Sequence, residues 1–320
     1  MNHFFKTLLI IASFTGCGFS IHALNYPVEE RDSAMGLVKV ATACIRSAPG
    51  HSNEMVSQVT MGTPLKLLEK ADSWWMVESP EGYQGYVIGN GIQPLTQSSF
   101  KKWRKAPRVM FTDSYTGRVV SNDGFGTPVS DINSGSIVEV MGSKVKDSTD
   151  IRLPDGRVGR LANSSVISLR QLTDADVDVD KIISMARALM GVAYLWGGTT
   201  TAGMDCSGLV KICYLNQGII LPRDASQQAM VGKPLGTDYK EYSKGDLVFF
   251  KSAKTGRIVH VGIYDKDGLY IHSQGHVRVN SLDPASPLFV PSNILAGACR
   301  ISGNIGSEGI TPVKKHSAYF

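Results

Sequence analysis

Tyr194-Leu195-Trp196-Gly197-Gly198-Thr199-Thr200-Thr201-Ala202-Gly203-Met204-Asp205-Cys206-Ser207-Gly208 is the stretch that decides how this chain is read. Its glycines mark a loop, and Leu209, Val210 and Cys213 beyond it recur at helical spacing. The segment therefore runs from a Gly-rich loop into a helix, with Cys206 at the junction. A thiol there meets the positive end of the helix dipole, which is expected to lower its pKa and populate thiolate. Gly203 and Gly208 let a substrate approach the backbone, and the N–H groups of a helix start can stabilise an oxyanion. Taken alone, a Cys at a helix start is by default a structural thiol.

A thiolate nucleophile also needs a base, and the base needs an orienting partner. In Val259-His260-Val261-Gly262-Ile263-Tyr264, the residues His260, Gly262 and Tyr264 share one strand face. In Leu269-Tyr270-Ile271-His272, Tyr270 and His272 do the same. The connector Lys266-Asp267-Gly268 suits a three-residue hairpin loop with Gly268 in the left-handed position. That register pairs Tyr264 with Tyr270 and Gly262 with His272, so His260 lies diagonal to His272 within side-chain reach. The opposite face (Val259, Val261, Ile263, Leu269, Ile271) reads as core. A lone histidine here would be read as a satisfied sheet residue. Two on one face, opposite a glycine that clears space, favour the functional reading. His51 lies outside this constellation, and His276 and His316 read as surface residues.

With 320 residues, 42% hydrophobic and 19% charged, the chain has an ordinary globular balance and room for two or three domains. A net charge of +5 without a compact basic run points to no nucleic-acid partner. Residues 1–23 read as a signal peptide: Lys6 is the positive region and Leu8 to Phe14 the apolar one, too short to span a bilayer. Two processing readings compete. Cleavage after Ala23 would release a soluble protein. Phe14-Thr15-Gly16-Cys17 resembles a lipobox, which would leave a lipid anchor at Cys17 as the sole membrane contact. Either implies export to the periplasm or cell envelope. The five cysteines fit neither a zinc pattern nor a disulfide framework. Cys44, Cys213 and Cys299 read as inert core thiols, and no metal or cofactor is expected.

Residues 24–105 and 106–170 both consist of short alternating runs split by turn residues, and they look like a weak internal repeat. Gly62 opens one copy, which reaches Pro80-Glu81-Gly82-Tyr83-Gln84-Gly85-Tyr86. Gly135 opens the other, which reaches Pro154-Asp155-Gly156-Arg157-Val158-Gly159-Arg160. Short strands joined by Pro-Asp/Glu-Gly turns suggest small β-barrels. Residues 171–303 begin with a helix capped by Asp178 or Asp180, with Ile182, Ile183, Ala186, Leu189 and Met190 on its apolar face. The helix carrying Cys206 follows, and then four strand-like runs, an α+β layout. Residues 304–320 contain Gly and Ser and read as a mobile tail.

The first two copies resemble bacterial SH3-like domains, the first more closely than the second. The third block resembles the NlpC-type cysteine peptidases. The resemblance rests on Tyr194-Leu-Trp-Gly-Gly, Met204-Asp-Cys-Ser-Gly-Leu-Val, Leu221-Pro-Arg-Asp-Ala-Ser-Gln-Gln, Gly245-Asp-Leu-Val-Phe-Phe and His260-Val-Gly-Ile-Tyr with Tyr270-Ile-His-Ser, in the family's order. It covers residues 180 to about 302. It implies a papain-like fold preceded by two SH3-like barrels, acting on peptidoglycan stem peptides. It implies Cys206 as nucleophile, His260 as general base and His272 as the residue orienting it. It also implies Tyr194 beside the nucleophile near the oxyanion, and Asp205, Ser207 and Asp224 along the groove. Ala225 stands where some relatives have Ser. SH3-like domains ahead of such a peptidase resemble the γ-D-glutamyl-L-diamino acid endopeptidases, also called dipeptidyl-peptidase VI. These release L-Ala-γ-D-Glu from stem peptides with a free N-terminus. By that resemblance Glu54 and Tyr86 meet the substrate's amino group, with Asp205 as a second counter-charge. An amidase or acyltransferase would begin with the same acyl-enzyme. A wall-binding protein with a dead peptidase domain is the reading from another class, and intact Cys206, His260 and His272 argue against it.

Overall fold

Two seven-stranded sheets with the same strand order open the fold. The computed structural model describes residues 35–145 and 147–320, so the leader, Ala23 and Cys17 lie outside the described residues. The first sheet runs from Met35–Val38 to Ile92–Leu95 and the second from Arg108–Phe111 to Val166–Ser168. In each, the strands lie side by side as third, second, sixth, fifth, fourth, first, seventh. A short 3-10 turn precedes the last strand of both, and a helix follows: α1, Gln97–Lys105, and α2, Leu169–Asp174. The Pro-Glu/Asp-Gly turns match as well. Gly82 (φ 78°) donates its N–H to Ser79 O, and Gly156 (φ 89°) donates to Leu153 O. Such left-handed backbone favours glycine.

Alternation of side chains turns one face of each sheet inward. Val38, Ile45, Leu65, Val77 and Val87 fill the first core. Val109, Phe111, Val119, Val138 and Ile151 fill the second, and Met61 of the first unit joins them. The two units are also joined through the backbone, where the Ile137 N–H donates to Met61 O at 2.9 Å.

Beyond Asp174 the pattern changes. Helix α3, Val179–Ala188, is capped by Asp178, whose side chain accepts from the N–H groups of Asp180 and Lys181. It buries Ile182, Ile183 and Ala186, with Leu189 at its end. Met190, expected on the same face, is exposed because the helix has already ended. Helix α4, Cys206–Leu215, packs against α3 and against a six-stranded sheet. That sheet's order is Lys233–Leu235, Ile294–Arg300, Leu247–Lys251, Ile258–Lys266, Leu269–Gln274, His276–Ser281. The Ile294–Arg300 strand went unforeseen because Gly297 interrupts its alternation. The central hairpin pairs Tyr264 with Tyr270 as the register argument requires. Its turn is tighter than expected: Lys266 pairs with Leu269, leaving Asp267 (φ 51°) and Gly268 (φ 79°) as a two-residue turn with a bulge at Asp265.

The expectation of a mobile tail over 304–320 is not met. Thr311–Pro312 pairs with Ile219–Ile220 as a short antiparallel ladder. Val313 and Tyr319 are buried in a junction core with Leu37, Phe100, Trp103, Met110, Leu172 and Ile220. Arg104 donates to Ser317 O, and Arg108 donates to Tyr319 O. The segment contains Gly and Ser, but Ile310, Val313 and Tyr319 decide its fate, because each is buried. Substituting Tyr319→Ala should therefore destabilise the protein by about 3–5 kcal/mol, the cost of emptying a large aromatic site. Chemical denaturation checks this, and an unchanged midpoint would mean the tail is merely laid on the surface.

Candidate active site

Helix α4 begins at Cys206 because Asp205 caps it. Asp205 has extended backbone (φ −86°, ψ −179°), and its Oδ1 accepts the Gly208 N–H at 2.7 Å. Position 208 has to be glycine: a Cβ there would stand 2.1 Å from the Gly198 carbonyl oxygen. Cys206 is thus the first helical residue, only 7% exposed, with the N–H groups of Ser207 and Val261 directed at its sulfur. Val261 is the residue after His260, so the thiol lies against the strand that bears the histidine. Tyr194 is close enough to feel the charge of Cys206, and burial pushes its phenol up to about 12.

His260 Nε2 lies 2.7 Å from His272 Nδ1. His272 Nε2 lies 2.6 Å from Asn280 Oδ1 on the next strand. Phe250 and Tyr270 pack against the two imidazoles. Burial pushes His260 down to about 3, and His272 and Arg278 add to the shift. Burial likewise takes His272 to about 4, against a hydrogen bond that Asn280 Oδ1 accepts and that works the other way. The Cys206 thiol is pushed up to about 11 by burial and by the Asp205 charge, with the N–H groups of Val261 and Ser207 opposing. The helix start was expected to favour thiolate, but desolvation outweighs it. Both shifts favour the uncharged forms, thiol at Cys206 and neutral imidazole at His260.

A groove of about 460 Å³ opens over the sulfur. Glu54, Tyr194, Asp205, Cys206, Ser207 and Asp224, all expected at the site, line it. Tyr86 does not. It sits on the Gln84–Ile88 strand, paired with Met76 and Arg46, while Tyr83 in the preceding turn reaches the groove instead. Tyr83 hydrogen-bonds Asp224, a half-buried carboxylate held above its usual range by burial and by Asp205, against the pull of Arg223. Asp224 also begins helix α5, Ala225–Gln228, through a reciprocal capping box with Gln227.

The expectation for Asp205 also needs correction. Its Oδ2 accepts from Arg223 at 2.6 Å and from the Gly197 N–H, and its Oδ1 accepts from Gly208, Ser207 and Arg223. A carboxylate so fully matched has no lone pair left for a substrate ammonium. Arg223 was quoted within its motif but given no role, because its burial is not legible in the sequence. Trp196 also went unread. Its indole N–H donates to Glu54 Oε1 at 2.7 Å across 142 residues of sequence. The loop around it presses on the first sheet, since a Cβ at Gly197 would stand 2.4 Å from Met55 O. Asn280 was read only as the end of a strand. Among the described residues no group of His, Cys, Asp and Glu side chains could hold a metal ion, and the four described cysteines are free.

This geometry has recognisable counterparts. Residues 191–289 match the NlpC/P60 family, and residues 42–93 match the bacterial SH3 domain. The chain carries an NlpC/P60 domain. Dipeptidyl-peptidase 6 of Lysinibacillus sphaericus is 26% identical over 79% of this chain and 93% of that protein. A γ-D-glutamyl-L-lysine dipeptidyl-peptidase of Bacillus cereus is 25% identical over 84% of this chain and 89% of its own length. The crystal structure of an NlpC/P60 family protein from Bacillus cereus superposes with a TM-score of 0.73 at 22% identity, covering 83% of this chain and 99% of that one. That likeness extends the shared fold across the N-terminal sheets as well as the NlpC/P60 domain.

The directions of these two shifts have a consequence for pH. Both shifts favour the uncharged forms, so the base stays unprotonated as pH falls below the ordinary imidazole value of about 6.5. The acidic limb of kcat/KM should lie below that value. Alkylation of Cys206 by iodoacetamide in the unliganded enzyme should accelerate from neutral into alkaline pH. A rate already on its plateau below pH 7 would instead reveal a stable thiolate–imidazolium pair.

Proposed function

We propose that the protein hydrolyses the γ-D-glutamyl–diamino acid bond of peptidoglycan stem peptides whose L-Ala amino group is free. The observation that carries this reading is the composition of the groove. One wall comes from the peptidase domain, and Glu54, Val56 and Tyr83 of the first sheet stand across from it. A cleft closed by a second domain suits a short substrate end rather than a continuous polymer. The names of the two full-length relatives support it. The two N-terminal sheets are read as SH3-like barrels, the first of them serving as a wall of the site. The leader is read as carrying the enzyme out of the cytoplasm.

On this reading Cys206 is the nucleophile, His260 the base and His272 its orienting partner. His260 takes the thiol proton as the sulfur attacks the γ-carbonyl carbon of D-Glu. The developing oxyanion is met by the backbone N–H of the α4 start and by the Tyr194 hydroxyl. Collapse of the tetrahedral species breaks the C–N bond, and His260 returns the proton to the departing amine. Water, deprotonated by His260, then hydrolyses the thioester. Ser207 and Asp224 line the subsite for D-Glu and L-Ala. Asp205 acts by capping α4, and the ammonium of L-Ala meets Glu54, Tyr83 and Asp224.

Defined stem tripeptides, free and N-acetylated, test this. Cys206→Ala should abolish turnover. Acetylation removes a charge-assisted hydrogen bond to an exposed carboxylate and should lower kcat/KM about ten- to a hundredfold. Glu54→Gln should show much of that loss on the free peptide and little further loss on the acetylated one. Equal rates on both peptides would mean an open groove and a general wall hydrolase.

A further inference from the structure

One residue outside the proposed catalytic set decides where its protons lie. The Asn280 side chain has two different ends, and each faces a partner. Nδ2 stands 2.7 Å from the carbonyl oxygen of Leu288, which can only accept a hydrogen bond. Oδ1 therefore faces His272, 2.6 Å from its Nε2. An amide oxygen donates nothing, so His272 must carry its proton on Nε2. A neutral imidazole has one N–H, which leaves His272 Nδ1 bare. That bare nitrogen is 2.7 Å from His260 Nε2, which must then be the protonated one. His260 Nδ1 is left with a free lone pair.

We infer that Asn280 is a positioning residue that selects the tautomer of both imidazoles, with the Leu288 carbonyl as the fixed end of the relay. The surroundings leave no other arbiter. His272 is fully buried and Asn280 only 7% exposed, so water does not supply an alternative partner. Phe250 and Tyr270 pack against the imidazoles, and the charged or titratable neighbours that act on them, Arg278 and His276, are not acids. A carboxylate in place of Asn280 would accept the same hydrogen bond but would also favour imidazolium. The amide orders the relay while leaving it uncharged. Losing that order would let His272 carry its proton on Nδ1, reversing the His260 contact and placing a proton where the base needs a lone pair. A triad with the wrong tautomer keeps its shape and loses its rate.

This inference rests on the reading of His260 as the base, and the experiment separates the two. Nitrogen-15 NMR of the imidazoles in the unmodified enzyme at neutral pH should find His272 protonated at Nε2 and His260 bare at Nδ1. The opposite tautomer at His272 would overturn the inference without any variant. Asn280→Ala should mix the tautomers and lower kcat about ten- to a hundredfold with little change in KM, the size of one lost buried hydrogen bond. Asn280→Asp should keep the tautomers and move the acidic limb of the pH profile upward. Full activity with unmixed tautomers in Asn280→Ala would overturn the inference too. An active His260→Ala enzyme would instead remove the base assignment while leaving the wild-type tautomers as observed.

Discussion

The buried pair of Arg223 and Asp205 is the interaction on which the site depends. Arg223 is 1% exposed, and its guanidinium reaches both Asp205 oxygens, the Ser207 hydroxyl and the Ser57 hydroxyl of the first sheet. Burial alone would discourage the charge, yet Asp205 holds the guanidinium above its ordinary value. Burying two ions is unfavourable unless every donor and acceptor is matched, and here nearly all are. The planar fork of arginine makes the bidentate contact, which a lysine could not reproduce. One side chain thereby fixes the cap of the helix that starts at Cys206 and the approach of the N-terminal unit. The residue after it, Asp224, starts the helix on the groove's other side.

Because the groove is assembled from two units, much of its chemistry is non-local. Glu54 is held by Trp196, Gln58 accepts the Thr199 N–H, and Lys211 of α4 is paired with Glu81 in a buried contact. These contacts join the Met55–Thr60 strand, the residue before it and the turn between Trp74–Glu78 and Gln84–Ile88 to the loop and helix around Cys206. The first sheet is therefore part of the active-site wall, and its displacement would open one side of the groove and leave Arg223 short of a partner.

How much of this was legible follows from the range of the physics involved. The hairpin register was readable because side chains alternate strictly, so parity alone placed His260 and His272 on one face. The helix start at Cys206 was readable because its loop and cap are local. Tyr83 was missed in favour of Tyr86 because choosing between two aromatics three residues apart requires knowing how the turn meets another domain. Asn280 was invisible because its significance lies in which end of an amide faces which atom. The thiol's environment was misjudged since dipole position can be read from sequence and desolvation cannot. The tail was misjudged because composition averages over the few apolar residues that anchor it.

The anchored tail also bears on the order of events during synthesis. Residues 311–319 leave the ribosome after every segment they pack against, yet Val313 and Tyr319 sit in the core shared by all three units. The earlier units can acquire their own cores as they emerge. The junction between them is completed only by these late residues. A nascent chain released or cut short of Val313 would carry folded pieces around an unfinished centre, with apolar surface exposed. Quality control could recognise that defect at the junction, even though the residues around Cys206 would already be made.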